Sequence, residues 1–504
     1  MPHARLARPT LGFLIGIYAL SQPALAEDAR EPVQQSDLNA LVADGQTLDA
    51  FLRAFEAGDE LSEHDFTAEE GVGANIGEGR IFTRIPRVDL TGDGEWATHF
   101  PTREGGANST SCISCHNAPM DNGAGGISAN VVVDPAHTGD PALFLERNTT
   151  PLFALSIPQR LAEEMSLALY EQRETTRNMA CETGLGVQPL SAKGVDFGTL
   201  VAFRTQIDPC VVTMDTTAVT GVDADLVIRP FGWKGNEATL RGFTRGAAHN
   251  ELGLQGTETV GALDGDYDGV TNELSVGDLT ALTMYMAGLE RPVEMTELDE
   301  IGLVELTDTD RGAITAGKTA FNGIGCASCH IPQMTLDEPI FTEPSRVPGY
   351  FDVQFPDGSD PAASGFQQDL AVSFDMRSDQ PNNMITLEDG AVYHLGAMAV
   401  DDAGRGVANW YTDLKRHDMG ADLSDPADPS GIGAAMFLTR SLAGVGSTGP
   451  WLHDGRATTL DAAILAHGGE AAASSDTYAA LSDQQQAQIV AFLENLVIYV
   501  PDDH

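Results

Sequence analysis

Cys112-Ile113-Ser114-Cys115-His116 and Cys326-Ala327-Ser328-Cys329-His330 decide the reading of this chain. Each is a C-x-x-C-H pattern, the attachment signal of a c-type haem. Two thiols three residues apart reach the two vinyl groups of one porphyrin, and the histidine that follows falls under the iron as proximal ligand. A redox or zinc site also uses C-x-x-C, but zinc needs further Cys or His ligands grouped nearby, and the sequence offers none. The expectation is two covalently bound haems. Haem 1 is held by Cys112, Cys115 and His116, and haem 2 by Cys326, Cys329 and His330.

Working outward, the second half echoes the first. Gly235-Asn236-Glu237-Ala238-Thr239-Leu240 matches Gly455-Arg456-Ala457-Thr458-Thr459-Leu460. An aromatic precedes each copy (Trp233, Trp451) and an acid follows (Glu251, Glu470). The leading cysteines lie 214 residues apart and the glycine motifs 220 apart, which argues for two related halves with one haem each. Each half also closes on a helical pattern. Leu279, Leu282, Met286 and Leu289 recur at helical spacing before Pro292, as do Ile489, Phe492, Leu493 and Leu496 before Pro501. The acidic stretch 292–310 makes the boundary. Strand-like alternation is sparse, 340–400 reads as long loops, and 27–70 reads as a helical N-terminal extension.

Composition limits the function. The chain has 504 residues, of which 42% are hydrophobic, enough for substantial cores. It carries 28 Lys and Arg against 74 Asp and Glu, a formal charge of −46. A phosphate backbone would be repelled, so nucleic acid is excluded as a partner and an anionic membrane surface is disfavoured. Lysine stands only at 193, 234, 318 and 415. Residues 1–26 read as an export signal: Arg5 and Arg8, then an apolar run Leu11–Leu20, then Ala24-Leu25-Ala26. Its loss takes the charge to −48. The run is too short for a stable span, and no second apolar stretch is long enough, so a soluble periplasmic protein that does not span a membrane after cleavage is expected. In an oxidising compartment Cys181 and Cys210 pair as a disulfide or act as a redox couple.

The motifs as a set resemble the bacterial di-haem cytochrome c peroxidase superfamily, and within it the di-haem oxidoreductases of peroxidase or thiol oxidoreductase type. The resemblance rests on Asn108-Ser109-Thr110-Ser111, Phe231-Gly232-Trp233-Lys234-Gly235, Arg416-His417-Asp418-Met419-Gly420, Leu452-His453-Asp454-Gly455-Arg456-Ala457 and His467-Gly468-Gly469-Glu470-Ala471. It covers roughly 70–500. It implies a mainly α fold of two tandem cytochrome c-like haem domains with long loops and little strand, at 71–295 and 296–504.

The same resemblance implies roles. Met419 is the sixth ligand of haem 2, with Met398 and Met334 as alternatives. Glu251 is the acid/base over the open site of haem 1, or else a solvated helix-end carboxylate. The family's intervening glutamine falls on Phe243, a departure in the distal pocket. Trp233 relays an electron between the haems, or fills the interface between them. His453, Arg456 and His467 bond a haem carboxylate or cap structure, and His417 positions the ligand loop. His137 is a resting-state ligand of haem 1 or a surface histidine. Read from the residues alone, Asp264, Asp266 and Asp268 alternate around a tight turn, as oxygen ligands for calcium do, with Glu273 in reach; the EF-hand pattern fails at Ser275. The expected function is a di-haem oxidoreductase reducing peroxide with electrons from a small cytochrome or cupredoxin. The alternatives are a di-haem oxidase of an organic or protein substrate and a pure electron-transfer cytochrome.

Overall fold

Helices form where apolar residues recur every three or four positions behind a capping side chain. The computed structural model describes residues 30–73, 107–136, 138–379, 381, 384–386, 390 and 392–500. The export signal, His137 and residues 74–106 lie outside them. Among the described residues the helices are α1 Gln35–Ala43, α2 Thr47–Glu63, α3 Ser156–Thr183, α4 Leu240–Ala247, α5 Thr257–Val260, α6 Val276–Gly288, α7 Met295–Glu300, α8 Asp308–Gly323, α9 Leu460–Leu465, α10 Ala472–Ala479 and α11 Asp483–Glu494. Ser275, Thr307 and Ser482 each open a helix (α6, α8, α11) with a reciprocal capping box. Among the described residues no helix is long and apolar enough to cross a membrane.

Two helix crossings organise the core. At Gly58 of α2, a side chain would run into the Ala281 carbonyl and Tyr285 of α6; at Gly317 of α8, one would run into the Gln488 carbonyl and Phe492 of α11. Only glycine lets the backbones approach so closely. Around the second crossing sits a core of Ile314, Phe321, Tyr411, Val445, Leu460, Tyr478, Ile489, Phe492 and Leu493. The first crossing belongs to a larger core that runs from Leu38 through Tyr285 to Trp410. Within 27–70, α1 and α2 cover 35–43 and 47–63, and α2 meets the first attachment loop: Ile113 N donates to Ser62 O at 3.4 Å.

The mainly α expectation is corrected: the described residues are 37% helical and 16% strand, with several small sheets. The largest strands are β3 Leu185–Ala192, β4 Val195–Gln206 and β5 Val211–Asp215, an antiparallel sheet in that order. Before them, β1 Val131–Val133 and β2 Leu145–Arg147 form a hairpin. The alternation that makes β3 and β4 is present in the sequence: Leu190, Ala192, Val195, Phe197, Leu200 and Ala202 are buried between more exposed neighbours. Lys193 and Gly194 turn the hairpin with φ of 46° and 86°, the left-handed values a two-residue turn needs. The stretch 340–400, read as loops, also holds strands, Ile340–Glu343 pairing with Val372–Asp375. Cys181 and Cys210 form a disulfide joining the end of α3 to the β4–β5 connection.

Candidate redox site

The second attachment motif follows α8 directly. His330 is half-buried, and its Nδ1 donates to Tyr411 O at 3.1 Å in the tautomer that leaves Nε2 for a metal. Burial, with the neighbouring His467, pulls its pKa down to about 4, so the ring is neutral. The first motif repeats this arrangement: His116 Nδ1 lies 2.9 Å from Thr150 O, and burial again brings it to about 4. A neutral imidazole oriented by a carbonyl is what a proximal haem ligand requires. Burial also raises the Cys112 and Cys326 thiols, to about 12 and 11.

A cavity of about 310 Å³ opens in front of His330. Cys326, Cys329, His330 and Met419 all line it, with Phe321, Leu423, Phe437, Leu460, Ile464 and Trp451 among its apolar walls. Two thiols, an imidazole and a thioether around an apolar space are what a porphyrin bound through two thioethers needs, so these residues fit a c-type haem. Of the three candidate methionines, Met419 alone is among the residues lining this cavity. Met398 and Met334 pack in the large core.

Met419 follows the strand Arg416–Asp418, which pairs with Met436–Leu438, and its own N donates to Ala435 O at 2.9 Å. His417 anchors this strand from both ring nitrogens, to Asp413 and Glu470 at 2.8 Å each. Against the downward pull of burial, Asp413, Cys329 and Glu470 raise His417 to about 11, so it is an imidazolium. Glu470 also accepts from Asp418 N at 3.0 Å. His467 lines the cavity with its ring 6.4 Å from that of His330, while its Nδ1 bonds Ala463 O. His453 is buried and stacked on Phe437 at 4.5 Å. Arg456 is not among the cavity residues; it pairs with Asp454 and donates to Asp422 O at 2.8 Å.

The duplication is visible in the backbone, with one change of partner. Phe231 bridges Glu237 and Trp451 bridges Ala457, both 220 residues apart. Thr239 caps α4 and Thr459 caps α9 through the same side-chain bond. The counterpart of Trp451 is therefore Phe231, and Trp233 corresponds to His453. The two turns face each other across Asn148, at the end of β2. Asn148 N donates to His453 O at 2.7 Å and its Nδ2 to Pro450 O at 2.6 Å, while Trp233 Nε1 donates to Asn148 O at 3.0 Å. Trp233, Asn148 and Thr150 all line the cavity. Thr150 is also the carbonyl partner of His116, so two residues of backbone connect the bond of one proximal histidine with the bond of the indole. The sequence gives no sign of Thr150 or Tyr411, because each acts through a main-chain carbonyl that any residue would supply.

Glu251 lies in a π turn, Ala248–Leu252, that continues α4. Such turns are rare and often mark functional sites. Its carbonyl accepts from Asn108 N at 2.6 Å, and its carboxylate from Asn108 Nδ2 at 2.8 Å. Glu251 is thus tied to the stretch of chain entering the first attachment motif, at Asn108, four residues before Cys112. Phe243 packs near Phe231, ring centres 6.0 Å apart. Asp264, Asp266 and Asp268 bring one oxygen each to within 4.8 Å of one another.

Comparison with known proteins bears on the second half. Residues 391–496 match the family described as di-haem oxidoreductase, putative peroxidase. The matched segment contains Met419, His417, His453, His467 and most of the cavity wall. No curated protein matches the chain. A solved structure titled as a MauG-like protein associated with microbial copper homeostasis aligns with 68% of this chain and 87% of its own, at 16% identity and a TM-score of 0.26.

Proposed function

We propose that this chain is an exported di-haem oxidoreductase that reduces hydrogen peroxide, taking electrons one at a time from a small cytochrome or cupredoxin. The observation that carries the reading is the cavity in which His330, both second-site thiols and Met419 meet Trp233, itself tied through Asn148–Thr150 to His116. The haems, each held covalently within its own half of the chain, would supply one-electron chemistry at iron. The chain's residues do the rest. His116 and His330 would ligate through Nε2, each ring held at Nδ1 by a carbonyl. Met419 closes the second site with a thioether, which favours the reduced form and suits an electron store. Trp233 passes the electron toward the first site.

Glu251 moves the proton. Its carboxylate, held by Asn108, takes the proton from the inner peroxide oxygen and returns it to the outer one, which leaves as water. Two electrons and two protons convert one peroxide to two waters. Calcium at Asp264, Asp266 and Asp268 would stiffen the loop that follows α5. The charge of −46 favours a donor that docks through basic residues, with a rate that falls as salt rises.

Low-temperature EPR of the ferric protein, repeated after half-reduction, tests the reading. One high-spin and one low-spin signal, with peroxide turnover, is the expected result. Two low-spin signals that persist after half-reduction would leave an electron carrier and overturn it.

A further inference from the structure

Arg440 stands out among the buried and half-buried arginines. Arg241 pairs with Glu258 and Glu343, Arg245 with Glu258 and Asp352, Arg160 with Glu163, and Arg416 with Asp223. Arg440 has no carboxylate partner among the described residues. Its guanidinium lies over the Trp233 ring, 5.4 Å from the centroid, and Nη1 reaches Gly232 O at 3.5 Å. Burial, with no acid to offset it, lowers its pKa to about 10. A guanidinium half withdrawn from water without a counter-charge leaves a place for an anion.

The side chain lines the cavity that contains Cys326, Cys329, His330 and Met419. Among the described residues of that lining it is the one arginine or lysine, and the one carboxylate, Glu470, is engaged by His417 and Asp418. Its place is fixed by the sheet. Arg440 comes two residues after the strand Met436–Leu438, which pairs with the strand leading to Met419, and Leu438 N donates to Trp233 O at 3.0 Å. The missing anion therefore enters with whatever fills the cavity, and a haem carries two carboxylates.

We propose that Arg440 receives a carboxylate of the haem attached at Cys326 and Cys329, and so clamps that haem edge beside Trp233. The inference rests on the haem reading of the second motif. Paired in this way, Arg440 neutralises a negative charge that would otherwise favour ferric iron, and the guanidinium no longer sits bare over the indole. Arg440 is a positioning residue, acting through the haem carboxylate.

The test is spectroelectrochemistry of Arg440→Gln and Arg440→His holoprotein, with haem counted at each attachment peptide by mass spectrometry. In Arg440→Gln the second haem should hold its electron about tenfold less tightly than in the wild type, a fall of about 59 mV. In Arg440→His the potential should sit near the wild-type value below the imidazole pKa and fall toward the glutamine value above it. That comparison is made within one protein, so it survives if the glutamine variant fails to load. An unshifted potential in Arg440→Gln, or a pH response in Arg440→His no larger than the wild type's, with both haems present, would overturn the inference alone. Wild-type protein with no haem on the Cys326 peptide would overturn the haem reading itself.

Discussion

Glu343 gives the sharpest test of the packing behind the first site. Arg241, in the first turn of α4, is 2% exposed and enclosed by Glu258, Glu343 at 3.3 Å, Thr280 at 2.9 Å and the Phe366 ring at 4.0 Å. Two carboxylates compete for this guanidinium, with Asp352 adding a further negative charge. Burial, only partly offset by Arg241, raises Glu343 from 4.5 to about 7. An acid whose folded pKa is raised contributes stability that is complete below about pH 4.5, is lost as pH climbs to about 7, and stays lost above. At 1.36 kcal/mol per pKa unit, the loss is about 3 kcal/mol. Glu343→Gln keeps the carbonyl acceptor and removes the ionisation. Urea unfolding of both proteins at pH 4.5, 6, 7 and 8 should show the variant gaining about 3 kcal/mol on the wild type across that range. A difference that does not change with pH would refute the argument. The result matters for the site because α4 runs straight into the π turn that carries Glu251.

Three other outcomes follow from the same geometry. Replacing Cys181 and Cys210 by serine opens a loop with a sequence separation of 29 and should cost about 3–4 kcal/mol in denaturant unfolding, with the haem bands unchanged. Gly317→Ala forces α8 away from the Gln488 carbonyl and should lower stability by about 1–3 kcal/mol, read as a lower thermal midpoint. Met419→Ala should convert the low-spin signal of the second haem to high spin in EPR and abolish the thioether-to-iron band in the near infrared; retention of both would assign the sixth ligand elsewhere.

Much of this was legible in the residues themselves. The two attachment motifs, the helical periodicity around Leu279 and Ile489, and the Thr-Leu repeat each state a local preference that the tertiary structure keeps. The cysteine pair was legible as a choice between bond and couple, and the fold closes it into a bond. The strands were less so. Pro189 interrupts the alternation at the bulge where β3 shifts register against β4, and this hides a sheet that Val195, Phe197 and Leu200 otherwise announce. Matching the halves by side-chain type paired Trp233 with Trp451, whereas the turn geometry pairs Trp233 with His453. Arg440 carried no signal at all. Its meaning is the absence of a carboxylate around it among the described residues, and that depends on chain segments more than 200 residues apart.

Asn148 bonds the turns of both copies at once, and this has a consequence for modularity. A duplicated gene product normally retains separable units, each with its own finished wall. Here the wall of the second cavity is completed by Asn148, Thr150 and Trp233 from the first copy. Residues 296–504 taken alone would therefore leave this cavity without the part of its wall that Asn148, Thr150 and Trp233 supply. The two copies share this wall, so a change on the first-copy side alters the pocket of the second.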